Sequence, residues 1–214
     1  PAPVITGFSV TKPVITTGTS TTLTASFTNG TGVINSGIGN VVTGVPVTVS
    51  PTADTTYTLT VTNSAGVAAY SSTSVSVVPS PSTPVITAPA SVIFNQAGYT
   101  ATVPSQPNAT FAWTIQGGAI TSGVASNQVT FTAGPSGTVQ LGCVATNLAG
   151  TPSSTGTVVI PIQVPPVINS FTGTPVITLG NGAALSWAVS GAATLSLDQS
   201  IGDVTGLTSK SVSP

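Results

Sequence analysis

Charged side chains are almost absent from this sequence, and their absence excludes several kinds of protein. Only 2% of the 214 residues are charged and none is histidine, whereas an average soluble domain is about 25% charged. General acid–base catalysis needs side chains that titrate near the working pH, and metal sites need clustered histidine, cysteine or carboxylate ligands. We therefore predict that the protein is not an enzyme and has no catalytic residue, metal site or cofactor.

Nucleic acids and membranes are excluded as partners by similar arguments. Two lysines and no arginine cannot neutralise a phosphate backbone, so we predict no nucleic-acid binding. No apolar run approaches the roughly 18 residues that span a bilayer, so we predict no membrane span. No cationic leader is visible, and any signal peptide has been removed or lies outside this sequence.

Cysteine and large aromatic residues are also scarce. Cys143 is the only cysteine, which makes an intrachain disulfide impossible. Trp113 and Trp187 are the only tryptophans, and both stand in apolar stretches typical of a core rather than of an exposed sugar-binding surface. Abundant serine, threonine, glycine and proline with so little charge favours an extracellular or cell-surface (secreted) location over a cytosolic one.

The dominant pattern in the sequence is an alternation of apolar and hydroxyl-bearing residues. Residues 57–62 read Tyr-Thr-Leu-Thr-Val-Thr, and residues 21–27 and 74–77 alternate in the same way. A period of two with β-branched residues is typical of half-buried strands. Clusters of glycine, proline and asparagine between these runs indicate turns, and no stretch has a helical period. The sequence therefore predicts an all-β fold.

An internal repeat predicts where the domains lie. Segments of the first part of the chain return in the same order near its end: 3–8 as 166–171, 13–16 as 175–178, 38–41 as 201–204 and 49–51 as 212–214. Proline-rich junctions at 78–84 and 163–166 separate the two copies from a second kind of module. We predict three domains, at residues 1–79, 80–165 and 166–214.

The third predicted domain lacks two strands that the first one has. Domain one continues with strands at 56–63 and 71–78, whereas the repeat in domain three stops at Pro214. A sandwich without two of its strands has an open core and unpaired sheet edges. Either the natural chain continues, which is common for modular proteins, or another molecule supplies the strands. In the second case, the expected donor is the start of another chain, around residues 1–10.

Two segments resemble strands of immunoglobulin-like domains. Residues 54–66 resemble the penultimate strand, in which a tyrosine stands two residues before a core position and an Asn-x-x-Gly turn follows. The Tyr57 hydroxyl can then bond back to the backbone at the corner, and Leu59 takes the core position. Residues 141–150 repeat this pattern with Cys143 at that position, and residues 111–115 resemble the strand that bears the core tryptophan.

The whole sequence resembles bacterial surface or secreted proteins with tandem immunoglobulin-like and PKD-like β-sandwich repeats. Domains one and three resemble the immunoglobulin-like repeat, and domain two resembles the PKD-like variant through residues 112–118 and 129–133. The resemblance implies tandem immunoglobulin-like β-sandwiches, the third incomplete. Domain one departs from it, since Ala25 stands where domain three has Trp187. The structural core is predicted to include Tyr57, Leu59, Trp113, Cys143 and Trp187.

Three further candidate sites involve aspartates and the single cysteine. Asp198 and Asp203 flank a turn and would form only half of a calcium site, because calcium needs six to eight oxygens. A solvated turn is therefore favoured. Asp54 is interpreted as a cap on the turn before Tyr57. Cys143 is interpreted as a small buried hydrophobe near Trp113, in preference to a reactive thiol or an intermolecular bridge.

The composition favours a structural role. Net charge near zero promotes association, and sheet edges that lack lysine are poorly protected from pairing with other chains. We predict a structural module of an extracellular fibre, sheath or cell-surface stalk, which self-associates as a filament or by lateral packing through β-sandwich contacts. Two alternatives stay open: an adhesin or ligand-binding module for a surface glycan or protein, and an inert spacer in a large secreted enzyme.

Overall fold

The computed structural model describes residues 1–178 and 180–213, and its regular structure in these ranges consists of strands. This confirms the predicted all-β class. The described ranges also contain no helix that could span a membrane. For description, the chain is divided into unit one (residues 1–79), unit two (80–165) and unit three (166–214); these boundaries stay a prediction.

Unit one is a sandwich of two sheets, with strand orders β1-β3-β6 and β2-β8-β7-β4-β5. Neighbouring strands are antiparallel, except β2 and β8, which run parallel. In β3 and β7 every second residue is buried, because the apolar residues of the alternating pattern face the opposite sheet. The strands are β1 (Val4–Val10), β2 (Val14–Thr16), β3 (Thr21–Thr28), β4 (Thr31–Ile34), β5 (Gly39–Val41), β6 (Val47–Val49), β7 (Thr55–Thr62) and β8 (Ala68–Val78).

Unit two is a second sandwich, with strand orders β10-β13-β12 and β11-β14-β15-β9. Its first and last strands, β9 and β15, again run parallel. Phe131, Val139 and Leu141 are fully buried between the sheets. The strands are β9 (Val92–Ile93), β10 (Tyr99–Thr102), β11 (Ala109–Gln116), β12 (Gly118–Ser122), β13 (Gln128–Ala133), β14 (Thr138–Asn147) and β15 (Gly156–Gln163).

Unit three repeats part of unit one. Its three-stranded sheet β16-β17-β20 corresponds to β1-β3-β6, and the hairpin β18-β19 corresponds to β4-β5. The β16–β17 pairing even has its register shift after Ile168, as the β1–β3 pairing has after Ile5. The strands are β16 (Val167–Gly173), β17 (Ala183–Ser190), β18 (Ser196–Leu197), β19 (Gly202–Asp203) and β20 (Ser209–Val212).

The described part of unit three has no counterpart of β7 or β8. The counterpart of β2, Val176 to Thr178, is not a strand, because β2 is held in its sheet by β8. The two small sheets of unit three are therefore not joined into a closed sandwich.

The expectation that residues 1–10 could donate a strand to another chain is wrong for this structure. Val4–Val10 forms β1 and already pairs with β3 along its length. Releasing this strand would break those hydrogen bonds and open the unit-one core.

Candidate interaction surfaces

Unit three exposes a row of apolar side chains on β16. Ile168 is 68% exposed and Phe171 is 55% exposed, whereas their counterparts Ile5 and Phe8 are half-buried and pack against the unit-one core. In unit one, β1 contacts β8 as well as its sheet partner β3. The absence of a β8 counterpart in residues 166–178 and 180–213 therefore leaves the β16 face open to solvent.

The inner face of β17 is also less well covered than that of β3. Leu23 and Phe27 are buried in unit one, but their counterparts Leu185 and Val189 are only half-buried. A cavity of about 240 Å³ lies beside Val189, with Leu195 and Leu207 among its lining residues. This surface is the interior of a sandwich from which one wall is missing.

Trp187 is buried even though the sandwich is open. It faces Phe171 in the strand pairing, at the place where Ala25 faces Phe8. Its indole N–H donates to the Leu207 carbonyl at 2.8 Å, and its backbone N–H donates to the Thr208 carbonyl at 2.9 Å. The loop between β19 and β20 thus covers the ring and partly replaces the second sheet, which buries the core in unit one.

The edge of β4 in unit one shows what would occupy the open side. There β7 pairs with β4 in antiparallel register, with Leu59 opposite Ile34. Both of these side chains are fully buried. The counterpart of Ile34 is Leu197, which is half-buried and pairs only with β19 among the described residues. The corresponding edge of β18 is free to accept another strand.

The five residues predicted for the structural core are all buried. Tyr57 and Leu59 lie on β7 of unit one, and Trp187 lies on β17 of unit three. Trp113 and Cys143 stand opposite each other in the β11–β14 pairing, and the Trp113 indole N–H donates to the Ser126 carbonyl at 2.8 Å. Burial raises the pKa of the Cys143 thiol to about 11. The side chain is therefore a protonated, inaccessible thiol at neutral pH.

Two predicted contacts differ in the structure. The Tyr57 hydroxyl makes no hydrogen bond to the described residues, and Tyr57 lines an open cleft together with Ser36 and Ser50. Asp54 does not cap the turn before Tyr57: its carboxylate accepts hydrogen bonds from β8, at 2.7 Å from the Val77 backbone nitrogen. Sequence reasoning considered only neighbours along the chain, whereas the partner of Asp54 lies on the adjacent strand.

The two aspartates weighed as calcium ligands lie on a solvated turn. Asp198 and Asp203 are both exposed, and Asp203 accepts a hydrogen bond from the Thr205 backbone N–H at 2.9 Å. Hydrogen bonds from Thr205 lower the pKa of Asp203. The described residues contain no group of three potential metal ligands.

A buried polar contact joins units one and two, and sequence reasoning missed it. The Asn147 side chain donates to the Thr16 hydroxyl and to the Pro79 carbonyl, both at 2.9 Å. The hydroxyls of Thr16 and Thr151 are 2.6 Å apart. Asn147 belongs to an Asn-x-x-Gly turn that the sequence repeats, but its partner Thr16 lies 131 positions away, a distance that no local pattern reveals.

Comparison with known proteins identifies the fold. No family model and no curated protein sequence matches the chain. A 282-residue C-terminal fragment of intimin, in complex with the intimin-binding domain of the translocated intimin receptor, aligns with a TM-score of 0.50 at 14% identity, over 78% of this chain and 67% of that one. Three immunoglobulin domains of titin, in a mutated variant, align with a TM-score of 0.51 at 14% identity, over 87% and 75%.

Fibronectin(III)-like modules of Clostridium thermocellum CbhA also match, with a TM-score of 0.42 at 16% identity, over 76% of this chain and 94% of that one. At such identities the similarity concerns the fold alone. The two alignments with TM-scores of 0.50 and 0.51 confirm the predicted fold class: the chain is a tandem array of immunoglobulin-like β-sandwiches, and the third is incomplete in its described residues.

Proposed function

We propose that the chain is a structural module of an extracellular fibre, sheath or cell-surface stalk, and that it self-associates through contacts between β-sandwiches. The observation that carries the proposal is the open face of unit three, which consists of the exposed side chains of Ile168 and Phe171 on β16 and the free edge of β18. We further propose that the protein is not an enzyme and belongs to a bacterial surface or secreted protein, with unit two of the PKD-like variant, because of the composition and the motifs described above.

The open face favours association for two reasons. Burying a side chain such as phenylalanine or isoleucine stabilises a complex by roughly 1.5–3 kcal/mol, and Ile168 and Phe171 are available for this. The free edge of β18 also presents backbone N–H and C=O groups, which pair readily with an added strand. A contact of this kind between two different surfaces of the same protein extends into a filament when its geometry does not close a ring.

The near absence of charge removes the usual obstacle to such packing. The formal net charge is −1, so neighbouring copies repel each other weakly at any ionic strength. Association driven by apolar burial and backbone pairing should therefore change little between low and high salt, because salt screens only charge–charge interactions.

Sedimentation velocity of the full chain over a range of concentrations tests the proposal, with electron microscopy of the concentrated material. We expect concentration-dependent oligomers for the parent chain and fewer for a variant with Ile168→Ser and Phe171→Ser. The matched control is Val42→Ser with Val45→Ser, since these valines of unit one are 66% and 52% exposed. A parent chain that stays monomeric at all concentrations would refute the proposal.

A peptide with the sequence of residues 54–78, which form β7 and β8 of unit one, tests the nature of the open face. We expect a labelled peptide to bind the full chain, as measured by fluorescence anisotropy, because unit three is built like unit one without this hairpin. A control peptide with serine at the positions of Leu59 and Val61 keeps the polar face and loses the apolar one. Equal binding of both peptides would show that the face does not recognise the pattern of β7.

In the adhesin alternative, the same open face binds a different protein. The same two experiments distinguish it from the structural module. A chain that remained monomeric and yet bound the strand peptide would contradict the structural module, and it would favour either an adhesin, whose partner is a different protein, or a sandwich that its own natural chain completes. A chain that both oligomerises and binds the peptide supports the structural module.

A further inference from the structure

Units one and two each contain a turn of the same construction, the Asn63 turn (residues 63–67) and the Asn147 turn (residues 147–151). In both, the asparagine side-chain oxygen accepts the backbone N–H groups of the residues two and four positions later, at 2.9–3.1 Å. In both, the side-chain nitrogen donates to the carbonyl of a proline at the amino-terminal boundary of the unit, Pro1 at 3.0 Å and Pro79 at 2.9 Å. The two turns therefore have the same hydrogen-bonding pattern at equivalent positions of the two sandwiches.

The Asn147 turn binds a residue of the neighbouring unit, whereas the Asn63 turn makes no such contact with the described residues. Asn147 uses its second amide N–H to bind Thr16 of unit one and is itself buried. The second amide N–H of Asn63 makes no hydrogen bond to any described residue, and Asn63 is only half-buried. Where the Asn147 turn has Thr151 against Thr16, the Asn63 turn has Val67, which is 50% exposed.

Unit three carries the other half of the same contact. In unit one Thr16 is followed by a tight turn, in which the Thr19 N–H donates to the Thr16 carbonyl at 2.9 Å. In unit three the Asn181 N–H donates to the Thr178 carbonyl at 2.9 Å, and Gly18 and Gly180 both have a positive φ, of 84° and 89°. Thr16 is buried under unit two, whereas Thr178 is exposed.

We infer that the Asn63 turn of one copy docks against Thr178 of a second copy, in a head-to-tail joint that repeats the joint between units one and two. The partner is identified by its chemistry, because the turn offers one amide donor beside an exposed valine, and a threonine supplies the matching hydroxyl and methyl group. The inference adds a second contact to the proposed self-association. It uses a different surface from the open face of β16, so the two can fail independently.

Disulfide trapping tests whether the two turns meet. A chain with Val67→Cys and Thr178→Cys should form a ladder of oligomers on non-reducing gels after mild oxidation, because the corresponding side chains in the existing joint have hydroxyls 2.6 Å apart. Thr16→Cys with Thr151→Cys is the positive control and should crosslink within one chain. Val67→Cys with Thr157→Cys is the negative control, since Thr157 is exposed on β15.

The outcomes of the trapping experiment separate clearly. A ladder that forms faster than in the negative control supports the joint. Equal rates in the two variants, or a crosslink only within single chains, overturn it. Cys143 does not interfere, because it is fully buried and does not react in the folded chain. Free thiols are alkylated before the chain is denatured for the gel.

Two conservative variants test the predicted hydrogen bonds without breaking either turn. Thr178→Val removes the hydroxyl and should weaken self-association in sedimentation about fivefold, whereas Val67→Thr recreates the Asn147 turn and should strengthen it about fivefold. Thr157→Val should change nothing. If Thr178→Val leaves association unchanged while Ile168→Ser with Phe171→Ser abolishes it, the joint is wrong and the proposed function stands.

Discussion

Units one and three share a strand framework and differ in whether it is closed. The pairing of β16 with β17 follows that of β1 with β3, including the register shift after Ile5 and Ile168. Yet Leu23 is fully buried, and its counterpart Leu185 is not. Strand register in this fold therefore depends on local pairing alone, whereas burial of the core depends on β7 and β8.

The largest effect that separates the two units should come from the same substitution at equivalent core positions. Leu23→Ala should lower the free energy of unfolding of unit one by about 2–5 kcal/mol, because it leaves a cavity in a closed core. Leu185→Ala should cost less than about 1 kcal/mol, because solvent already reaches that side chain. Hydrogen exchange followed by mass spectrometry would report each unit separately. Similar losses of protection in both units would show that unit three is closed in solution.

The next largest effect should be a loss of the free energy of unfolding of unit two at alkaline pH. Burial raises the pKa of Cys143 from 9.0 to about 11, so the folded unit holds this proton more tightly than the unfolded chain does. The resulting stabilisation is complete below pH 9 and is lost as the pH rises from 9 to about 11. Two pKa units correspond to about 2–3 kcal/mol.

Chemical unfolding at pH 8 and pH 11 checks this expectation, followed by tryptophan fluorescence in a Trp187→Phe background so that Trp113 of unit two is the only tryptophan left. Cys143→Ala is the control, because it removes the thiol and keeps every other titratable group of the chain. If the variant loses as much stability as the parent chain, the thiol is not the responsible group.

A smaller difference should separate the two asparagine turns. Asn147→Ala should destabilise the chain by about 1–2 kcal/mol more than Asn63→Ala, because a net contribution of about 1 kcal/mol per hydrogen bond is lost at Thr16 as well as within the turn. Thermal unfolding of both variants beside the parent chain measures the difference. Equal shifts would mean that the bond to Thr16 contributes nothing to stability.

The smallest effect should be that of pH between 5 and 9. The reference pKa values of free aspartate and lysine side chains, about 3.9 and 10.4, lie outside this window, and hydrogen bonds from Thr205 lower the pKa of Asp203 from its ordinary value. The stabilisation from Asp203 is present above its unfolded pKa and lost only as the pH falls through the lower, folded value. Melting temperatures in this window should agree within about 5 °C for all three units, and a larger shift in one unit would reveal a titrating group there.

The sequence predicted well those features that depend on neighbouring residues. The alternation in residues 57–62 correctly indicates β7. The repeat of 3–8 at 166–171 correctly identifies β16 as the counterpart of β1. It could also indicate that unit three lacks strands, since the repeat ends before the counterparts of residues 56–63. These features follow from side-chain period and from order along the chain, both of which are visible in one dimension.

Features that depend on contacts between distant strands were not predictable in the same way. The sequence predicts that Asp54 caps its own turn, whereas its carboxylate accepts a hydrogen bond from the backbone of β8. The sequence also predicts that residues 1–10 can donate a strand to another chain, whereas they form β1 and pair with β3. The Asn-x-x-Gly motif was recognised as a turn, and only the structure shows that one copy holds two units together through Thr16.

The parallel pairing of an early strand with the last strand of each closed unit has a mechanical consequence. In unit one, β2 enters near the amino end and β8 leaves at the carboxyl end, and their backbones are joined from Val14 with Ser76 to Thr16 with Val78. Tension on the two ends of the unit pulls these parallel strands in opposite directions along their axes, so their hydrogen bonds are loaded in shear and must break together. Unit two has the same clamp between β9 and β15. Under a stretching force, unit three, whose described residues form no such pair, should therefore extend first, while units one and two keep their length.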